Sequence, residues 1–256
     1  MKHYKLTDET ITINRDGVEV VLHRIEAIVE LPGVAVGDLG GYVEKEDNLC
    51  DKAWVSDNAK VYGAARVSGN AKVSGDAKVY GDAWVFDDAE VYGNAKVFGD
   101  AQVFGDAQVY GAACVYDEAR VSDNARVSGN ACVYDEARVS GDAWVSGNAR
   151  VYGDAWVSGN ARVYDNARVY GNAYVCGDAR IYAERHIVWL SIFGSRNGTT
   201  TAYLTKDNEV EVVCGCFRGS IDAFAAKIEV THKDTKYLAE YRAMVALLRA
   251  RFAEFS

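Results

Sequence analysis

The sequence predicts a mainly β protein built around a solenoid of short strands. Valine stands at every sixth position from Val55 to Val175, and alanine stands four residues after each valine, from Ala59 to Ala179. A short fixed period is typical of a solenoid, whose units bury their apolar faces only against neighbouring units. Most units also carry Gly followed by Asp or Asn, residues that tolerate the positive φ of a corner. We therefore expect each hexad to form a strand and a corner, with its valine inside.

The first segment, residues 1–42, is predicted to be a small β cap. Apolar residues at Val18, Val20 and Leu22 alternate with other residues, which indicates a strand. A turn signal, Asn14 to Gly17, precedes this strand and predicts a hairpin.

The second segment, residues 43–187, is predicted to be the hexapeptide-repeat β-helix. Val43 and Leu49 already stand in phase with the regular repeats, and Ile181 continues them. The ends of a solenoid expose unpaired backbone groups, which invite edge-to-edge assembly. The two flanking segments are therefore expected to cap the solenoid.

The third segment, residues 188–256, is predicted to be an α+β domain of the order βββαα. Three strand-like runs begin at Ile187, Thr200 and Glu209. Two helical stripes follow, and Ser220 has the residue type of an N-cap for the first.

Composition limits the classes of partner. The net charge is −9, which argues against direct binding to nucleic acid. No apolar run reaches the roughly 18 residues that a membrane helix needs. The N-terminus lacks the apolar core of a signal peptide, so a cytoplasmic location is expected. The six cysteines lack the paired spacing of a disulfide scaffold, which favours reduced thiols.

The hexad, as in Val79-Tyr80-Gly81-Asp82-Ala83-Trp84, resembles the hexapeptide-repeat proteins that form a left-handed parallel β-helix. That resemblance implies the left hand, three hexads in each coil of 18 residues, and trimeric assembly as the family's habit. The layout is also similar to hexapeptide-repeat proteins of bacteriophages and prophages, which implies a phage origin and residence in the host cytoplasm. The matching pieces are Lys5 to Thr10, Gly37 to Glu44, Phe193 to Asn197, and Cys214 to Phe217.

Histidine content argues against the enzymes of this family. Its acyltransferases use an interface histidine as general base, whereas no histidine lies between Val55 and Arg180. His186 stands alone at the boundary, where we expect a surface or capping residue. The carbonic anhydrases on this scaffold need three zinc-binding histidines, and the four histidines here are scattered. We therefore predict no catalytic residue, no cofactor and no metal.

The C-terminal segment contains a candidate site formed by Arg196, Cys214, Cys216 and His232. Two thiolates and an imidazole suit a soft metal such as zinc, but no fourth ligand is evident. Residues 214 and 216 would alternate along a strand and face opposite sides, so one of the two cysteines is expected to point inward. A structural role as buried cysteines is therefore favoured over metal binding. Arg196 lies in a glycine-bounded turn that could hold an anion, and a simple hairpin turn explains it equally well.

Sorting the hexads by 18 reveals an aromatic row at the position after valine. The row is Tyr62, Tyr80, Phe98, Tyr116, Tyr134, Tyr152 and Tyr170. Acidic residues two positions later form an acidic border, which is Asp82, Asp100, Glu118, Glu136 and Asp154. The equivalent rows on the other two faces mix serine with aromatic residues.

Three interpretations of the aromatic row stay open. It is a contact between copies of the chain, a stack that only stabilises neighbouring coils, or a contact for a foreign partner. The leading hypothesis is that the chain is a non-enzymatic binding or scaffold protein that assembles as a homo-oligomer. The alternative is an acidic decoy or inhibitor of a host protein, for example a defence or nucleic-acid-binding protein. An acyltransferase-like enzyme is the third hypothesis.

A basic row stands at the position before valine on the same face: Lys60, Lys78, Lys96, Cys114, Cys132, Arg150 and Arg168. Its main expected role is to keep the solenoid corners soluble. Cys114 and Cys132 fall one coil apart, and in-register parallel strands do not suit an unstrained disulfide, so free thiols are expected.

Overall fold

The computed structural model describes residues 2–15 and 17–255. In chain order the strands before the C-terminal sheet are β1 (Tyr4–Arg15), β2 (Val18–Ala27), β3 (Leu39–Val43), β4 (Trp54–Val55), β5 (Lys60–Val61), β6 (Arg66–Val67), β7 (Lys72–Val73), β8 (Lys78–Val79), β9 (Trp84–Val85), β10 (Glu90–Val91), β11 (Lys96–Val97), β12 (Gln102–Val103), β13 (Gln108–Val109), β14 (Cys114–Val115), β15 (Arg120–Val121), β16 (Arg126–Val127), β17 (Cys132–Val133), β18 (Arg138–Val139), β19 (Trp144–Val145), β20 (Arg150–Val151), β21 (Trp156–Val157), β22 (Arg162–Val163), β23 (Arg168–Val169), β24 (Tyr174–Val175) and β25 (Arg180–Ile181).

From β3 onward these strands stack into three parallel sheets, one on each side of a coil. The first sheet continues from β3 through β5, β8, β11, β14, β17, β20 and β23. The second runs from β4 to β25, and the third from β6 to β24, each taking every third strand. Val97 pairs with Val115 in register, a separation of 18 residues, so three hexads form one coil as predicted. The hand of the coil stays a prediction.

The core of the solenoid consists of the periodic valines and alanines. Every repeat valine from Val55 to Val175 is fully buried, as predicted, and the repeat alanines from Ala59 to Ala179 are buried with them. Because the valine is inside, the residues on either side of it in the strand point outward. This alternation places the aromatic and basic rows on the outer surface.

Bonds between corners also hold the coils together. Seven aspartates occupy the left-handed corner position that glycine fills elsewhere, with φ between 55 and 59°: Asp51, Asp57, Asp87, Asp117, Asp123, Asp135 and Asp165. Five of them accept a hydrogen bond from the N–H of the glycine 18 residues later, as Asp87 does from Gly105 at 3.2 Å. Aspartate at these corners therefore ties one coil to the next.

The N-terminal end of the solenoid is covered by the β1–β2 hairpin. β2 pairs antiparallel with β3 and so extends the first sheet. The predicted hairpin turn is present, and Asn14 accepts a hydrogen bond from the N–H of Gly17 at 3.0 Å, while Asp16 lies outside the described residues. Below the hairpin, the fully buried amide of Asn48 donates to Ala65 O at 2.8 Å, satisfying a carbonyl of the first coil.

The C-terminal part is an antiparallel sheet followed by two helices. The strands are β26 (Ile187–Phe193), β27 (Gly198–Leu204), β28 (Val210–Cys214) and β29 (Phe217–Ser220), and the helices are α1 (Ile221–His232) and α2 (Leu238–Arg251). The Ser220 Oγ accepts from the N–H of Ala223 at 3.1 Å, which confirms the predicted cap. The prediction of three strands is wrong, because β29 is a fourth.

Strand β27 closes the C-terminal end of the solenoid. The N–H of Tyr174 in the last coil donates to Thr201 Oγ1 at 3.0 Å, and the N–H of Cys176 donates to the Tyr203 hydroxyl at 3.4 Å. Tyr203 is fully buried at this junction. Side chains of β27 thus satisfy backbone donors that an open solenoid end would leave unpaired.

Candidate interaction face and C-terminal cavity

The first sheet carries the aromatic row as one continuous stack. Successive ring centroids from Tyr62 to Tyr170 lie 4.9 to 5.0 Å apart, and the ring planes are within 7° of parallel. The centroid separation matches the spacing of adjacent strands, roughly 4.8 Å. Each central ring is half-buried, because its two neighbours cover its faces and its edge remains open to solvent.

Both ends of the aromatic row are covered by other parts of the chain. At the N-terminal end Tyr62 is buried against Leu22, with Val20 of the same strand packed beside them. At the C-terminal end the Trp189 ring meets Tyr170 edge to face, with centroids 4.3 Å apart. The section that neither end covers is therefore central, from Phe98 to Tyr152.

The phenols of Tyr116 and Tyr134 are held in their neutral form. Burial is the main cause that raises the pKa of Tyr116 to about 12, and the neighbouring Cys132 and Tyr134 add to it. Burial likewise raises the pKa of Tyr134. At these two positions the row consequently presents aromatic edges and neutral hydroxyl groups rather than charge.

Charge lies on either side of the aromatic row. All five residues of the acidic border are exposed on the adjoining corner, and Asp154 accepts a hydrogen bond from the Asn172 amide at 3.2 Å. On the other side the basic row follows the strands of the first sheet. Burial lowers the pKa of Lys60, and repulsion from Lys78 one coil away lowers it further. Along the strand of each central coil, the basic position comes first, the aromatic ring second and the acidic residue third. In two of these coils Cys114 and Cys132 occupy the basic position in place of a cation.

Stacking by itself does not distinguish the first sheet. Tyr92 and Tyr110 on the second sheet also stack, with centroids 4.9 Å apart, and Phe86 and Phe104 on the third stack at 4.8 Å. Those stacks are isolated pairs between serines. Only the first sheet combines an unbroken row with charged residues of opposite sign at its two edges.

The four residues of the C-terminal candidate site line one cavity of about 310 Å³. Arg196 comes from the β26–β27 turn, Cys214 from the end of β28, Cys216 from the β28–β29 turn, and His232 from the end of α1. The floor is apolar and includes Phe224 and Ile228. Long-range packing of two turns against one helix thus brings together residues that are far apart in the sequence.

Cys214 and Cys216 are not alternating residues of one strand, so that prediction is wrong. Cys214 pairs with Phe217, which makes Gly215 and Cys216 a two-residue turn, and Gly215 takes the positive φ of 57° that this turn requires. Cys216 is exposed, while the Cys214 sulfur accepts a hydrogen bond from Thr200 Oγ1 at 3.1 Å. Within residues 2–15 and 17–255 no three His, Cys, Asp or Glu side chains form a group suited to a metal ion.

Two cations at this cavity are available to a ligand. Arg196 and Lys227 are exposed at its rim, and neither forms an ion pair with any other described residue. The His232 ring stacks on Tyr241, with centroids 4.6 Å apart. Lys227 was not predicted from the sequence, where it is one of several exposed positions of α1. Its helical position was predictable, but its proximity to the two turns was not.

His186 is fully buried, so the prediction of a surface residue is wrong. It lies between the last coil and β26, where a capping residue was the other expectation. The N–H of Tyr182 donates to its Nδ1 at 3.4 Å, and Tyr182 also packs against the imidazole at a centroid distance of 3.7 Å. Its Nε2 has no hydrogen-bond partner among the described residues. Burial lowers the pKa of His186, which keeps the ring neutral.

The fold places the chain among the β-solenoid proteins. A family model described as the YdcK Beta solenoid repeat matches residues 119–135, 143–159 and 161–177. The chain is similar to that repeat over these three segments, each close to one coil in length. A search of curated proteins finds no match. No helix among the described residues is long and apolar enough to cross a membrane.

Proposed function

We propose that this protein is a non-enzymatic scaffold that assembles side by side with further copies of itself through its first sheet. The single observation that carries the proposal is the unbroken aromatic row with a basic row on one side and an acidic border on the other. A contiguous apolar strip on a protein surface usually marks an interface. The flanking charges then select how two copies meet.

The order of the rows favours copies with parallel long axes. A twofold axis parallel to the solenoid places the basic row of one copy opposite the acidic border of the other, so Lys96 faces Asp100 of the second copy on the same level. A twofold axis across the solenoid would place each row opposite itself. Like charges facing each other are unfavourable, whereas complementary rows stabilise and orient a contact. A closed ring of parallel copies, including the trimer that the hexapeptide resemblance implies, keeps the favourable order.

The covered ends of the solenoid support lateral rather than end-to-end assembly. The hairpin covers Tyr62 at one end, and β27 bonds to the last coil at the other. Open strand edges are the usual route to end-to-end association. With both ends of the solenoid packed against other segments, a second copy would meet a side of the solenoid, and the unbroken aromatic row favours the first sheet.

The mass of the protein in solution tests the proposal. Sedimentation equilibrium is expected to show a dimer or trimer, and association should weaken as salt screens the basic and acidic rows. A monomer at every concentration and salt level would refute self-assembly. The aromatic row would then be open to a foreign protein, which is the acidic decoy alternative. Co-purification from an expressing host, at matched salt, would identify that partner.

As part of this proposal, we expect the protein to be encoded by a phage or prophage and to act in the host cytoplasm.

An enzymatic acyl transfer is the less favoured alternative. Its one candidate base, His186, is fully buried against Tyr182 and so has no open path to a substrate. A general base needs hydrogen-bond reach of the proton that it abstracts.

A second candidate function is binding of a small organic anion in the C-terminal cavity. The observation that favours it is the pairing of the unpartnered cations Arg196 and Lys227 with the apolar floor around Phe224. Ligand sites commonly combine an apolar lining with a few placed polar groups. An aryl carboxylate such as benzoate is expected to raise the melting temperature of the wild type. The Arg196→Ala and Lys227→Ala double variant should lose that shift, and an equal shift in both proteins would refute the site.

A further inference from the structure

Cys114 and Cys132 are direct neighbours on adjacent coils. They pair in register in the parallel strands β14 and β17, in the two places where the basic row has no cation. The Cys114 sulfur lies 3.8 Å from Ala112 O, and the Cys132 sulfur lies 3.8 Å from Asn130 O. Both thiols therefore point in the same direction, each toward the carbonyl two residues earlier, and both are half-buried.

Cys114 and Cys132 are free thiols, and the separation of the two strands disfavours an unstrained disulfide and fits a different bond pattern. Adjacent strands are roughly 4.8 Å apart, whereas an unstrained disulfide needs Cβ atoms about 3.8 Å apart. A metal ion placed in a line between two thiolates holds the sulfurs about two metal–sulfur bonds apart, whereas a disulfide must draw them to about 2.0 Å. An ion between the two sulfurs would therefore leave the strand register unchanged.

We propose that Cys114 and Cys132 form a two-coordinate site for a soft monovalent cation, with Cu(I) as the preferred ion. Thiolates favour soft ions such as Cu(I). Zinc is disfavoured because it takes four ligands, and no described His, Asp or Glu joins the pair as a third ligand. The site is independent of the proposed assembly, because both ligands belong to one chain.

The surrounding charges suit the complex that would form. Two thiolates and one monovalent cation carry a net charge of −1. Lys96 pairs in register with Cys114 on one side, and Arg150 pairs with Cys132 on the other, so a cation flanks the complex at each end. Both thiols must be deprotonated in the complex, and the released protons pass to solvent.

Competition with a chromophoric Cu(I) chelator under anaerobic, reducing conditions tests the site. The wild type is expected to bind one Cu(I) per chain, and X-ray absorption should show two sulfur ligands. Cys114→Ser and Cys132→Ser should each fail to bind this Cu(I) ion. The matched control is the Cys50→Ser and Cys216→Ser double variant, which removes exposed thiols elsewhere and should keep it.

Three outcomes would overturn the proposal. The first is that the Cys114→Ser and Cys132→Ser double variant still binds one Cu(I) per chain. The second is an X-ray absorption spectrum with three or four sulfur ligands, and the third is a stoichiometry of one ion per two chains. Serine has nearly the volume of cysteine, so these variants should fold. Unchanged circular dichroism and melting temperature will verify that a loss of binding reflects the ligands.

Discussion

Tyr116 and Tyr134 lie with their ring centroids 4.9 Å apart and their planes 3° from parallel, at the centre of the aromatic row. Replacing both with serine is expected to weaken self-association while the solenoid stays folded, because serine occupies equivalent positions on the other sheets. Hot spots cluster in contiguous, desolvated patches, so the loss should be large at the centre of the row. Sedimentation equilibrium of the double variant measures it.

The matched control is Tyr92→Ser with Tyr110→Ser. That pair stacks at the same 4.9 Å on the second sheet. The first double variant removes three stacked contacts and the control removes one, each worth roughly 0.2–1 kcal/mol, so the first should also lose more stability. Only the first should change the mass in solution, and equal masses would reduce the aromatic row to contacts between coils.

Val115 tests the inward direction of the repeat valines. Because its side chain is fully buried in mid-solenoid, Val115→Asp should place an unpaired carboxylate in the core and lower the free energy of unfolding by several kcal/mol. Chemical denaturation measures the change. Arg120→Asp, at an exposed position of the next strand, should change stability by only about 0.5 kcal/mol or less. Wild-type stability for Val115→Asp would contradict the core assignment.

The corner aspartates predict a difference between two chemically identical substitutions. Asp87 and Asp117 have φ of 59 and 55°, but only Asp87 bonds to a glycine N–H in the following coil, since position 135 is aspartate. Asp87→Ala should therefore cost about 1 kcal/mol more than Asp117→Ala, the net contribution of one hydrogen bond. Both variants share the strain of alanine at positive φ. Equal melting temperatures would show that the carboxylate bond adds nothing.

His186 predicts a dependence of stability on pH. Burial holds its folded-state pKa below the ordinary value of 6.5, so the unfolded chain binds the proton more readily. This contribution to stability is complete above pH 6.5 and is lost as the pH falls below 6.5 toward the folded-state pKa. His186→Phe keeps a ring in the site without a titrating group, and should flatten this part of the curve of melting temperature against pH.

The same variant examines the acyltransferase hypothesis. We expect no acetyl-CoA turnover from either protein. Turnover that the wild type shows and His186→Phe lacks would restore the enzyme hypothesis. Identical slopes of stability between pH 5 and 7 would contradict the titration argument, independently of any activity.

The sequence by itself determined the repetitive part of this protein. Because each coil contacts only its neighbours at a fixed separation of 18 residues, the valine and alanine periods were sufficient to predict which residues are inside. The same arithmetic placed Tyr116 beside Tyr134 and Cys114 beside Cys132. The strand pairing confirms these neighbours, since Val115 pairs with Val133 in register.

Only the tertiary structure decided the parts without a period. The segment that forms β29 has only four residues, of mixed polarity, so it shows no alternating pattern. Its pairing with β28 makes it a strand. His186 is buried because Tyr182 and Phe255 enclose it from separate segments. Arg196 and His232 meet at one cavity because two turns pack against α1. Such contacts depend on how segments far apart in the sequence pack together. No repeat period predicts which of their residues will meet.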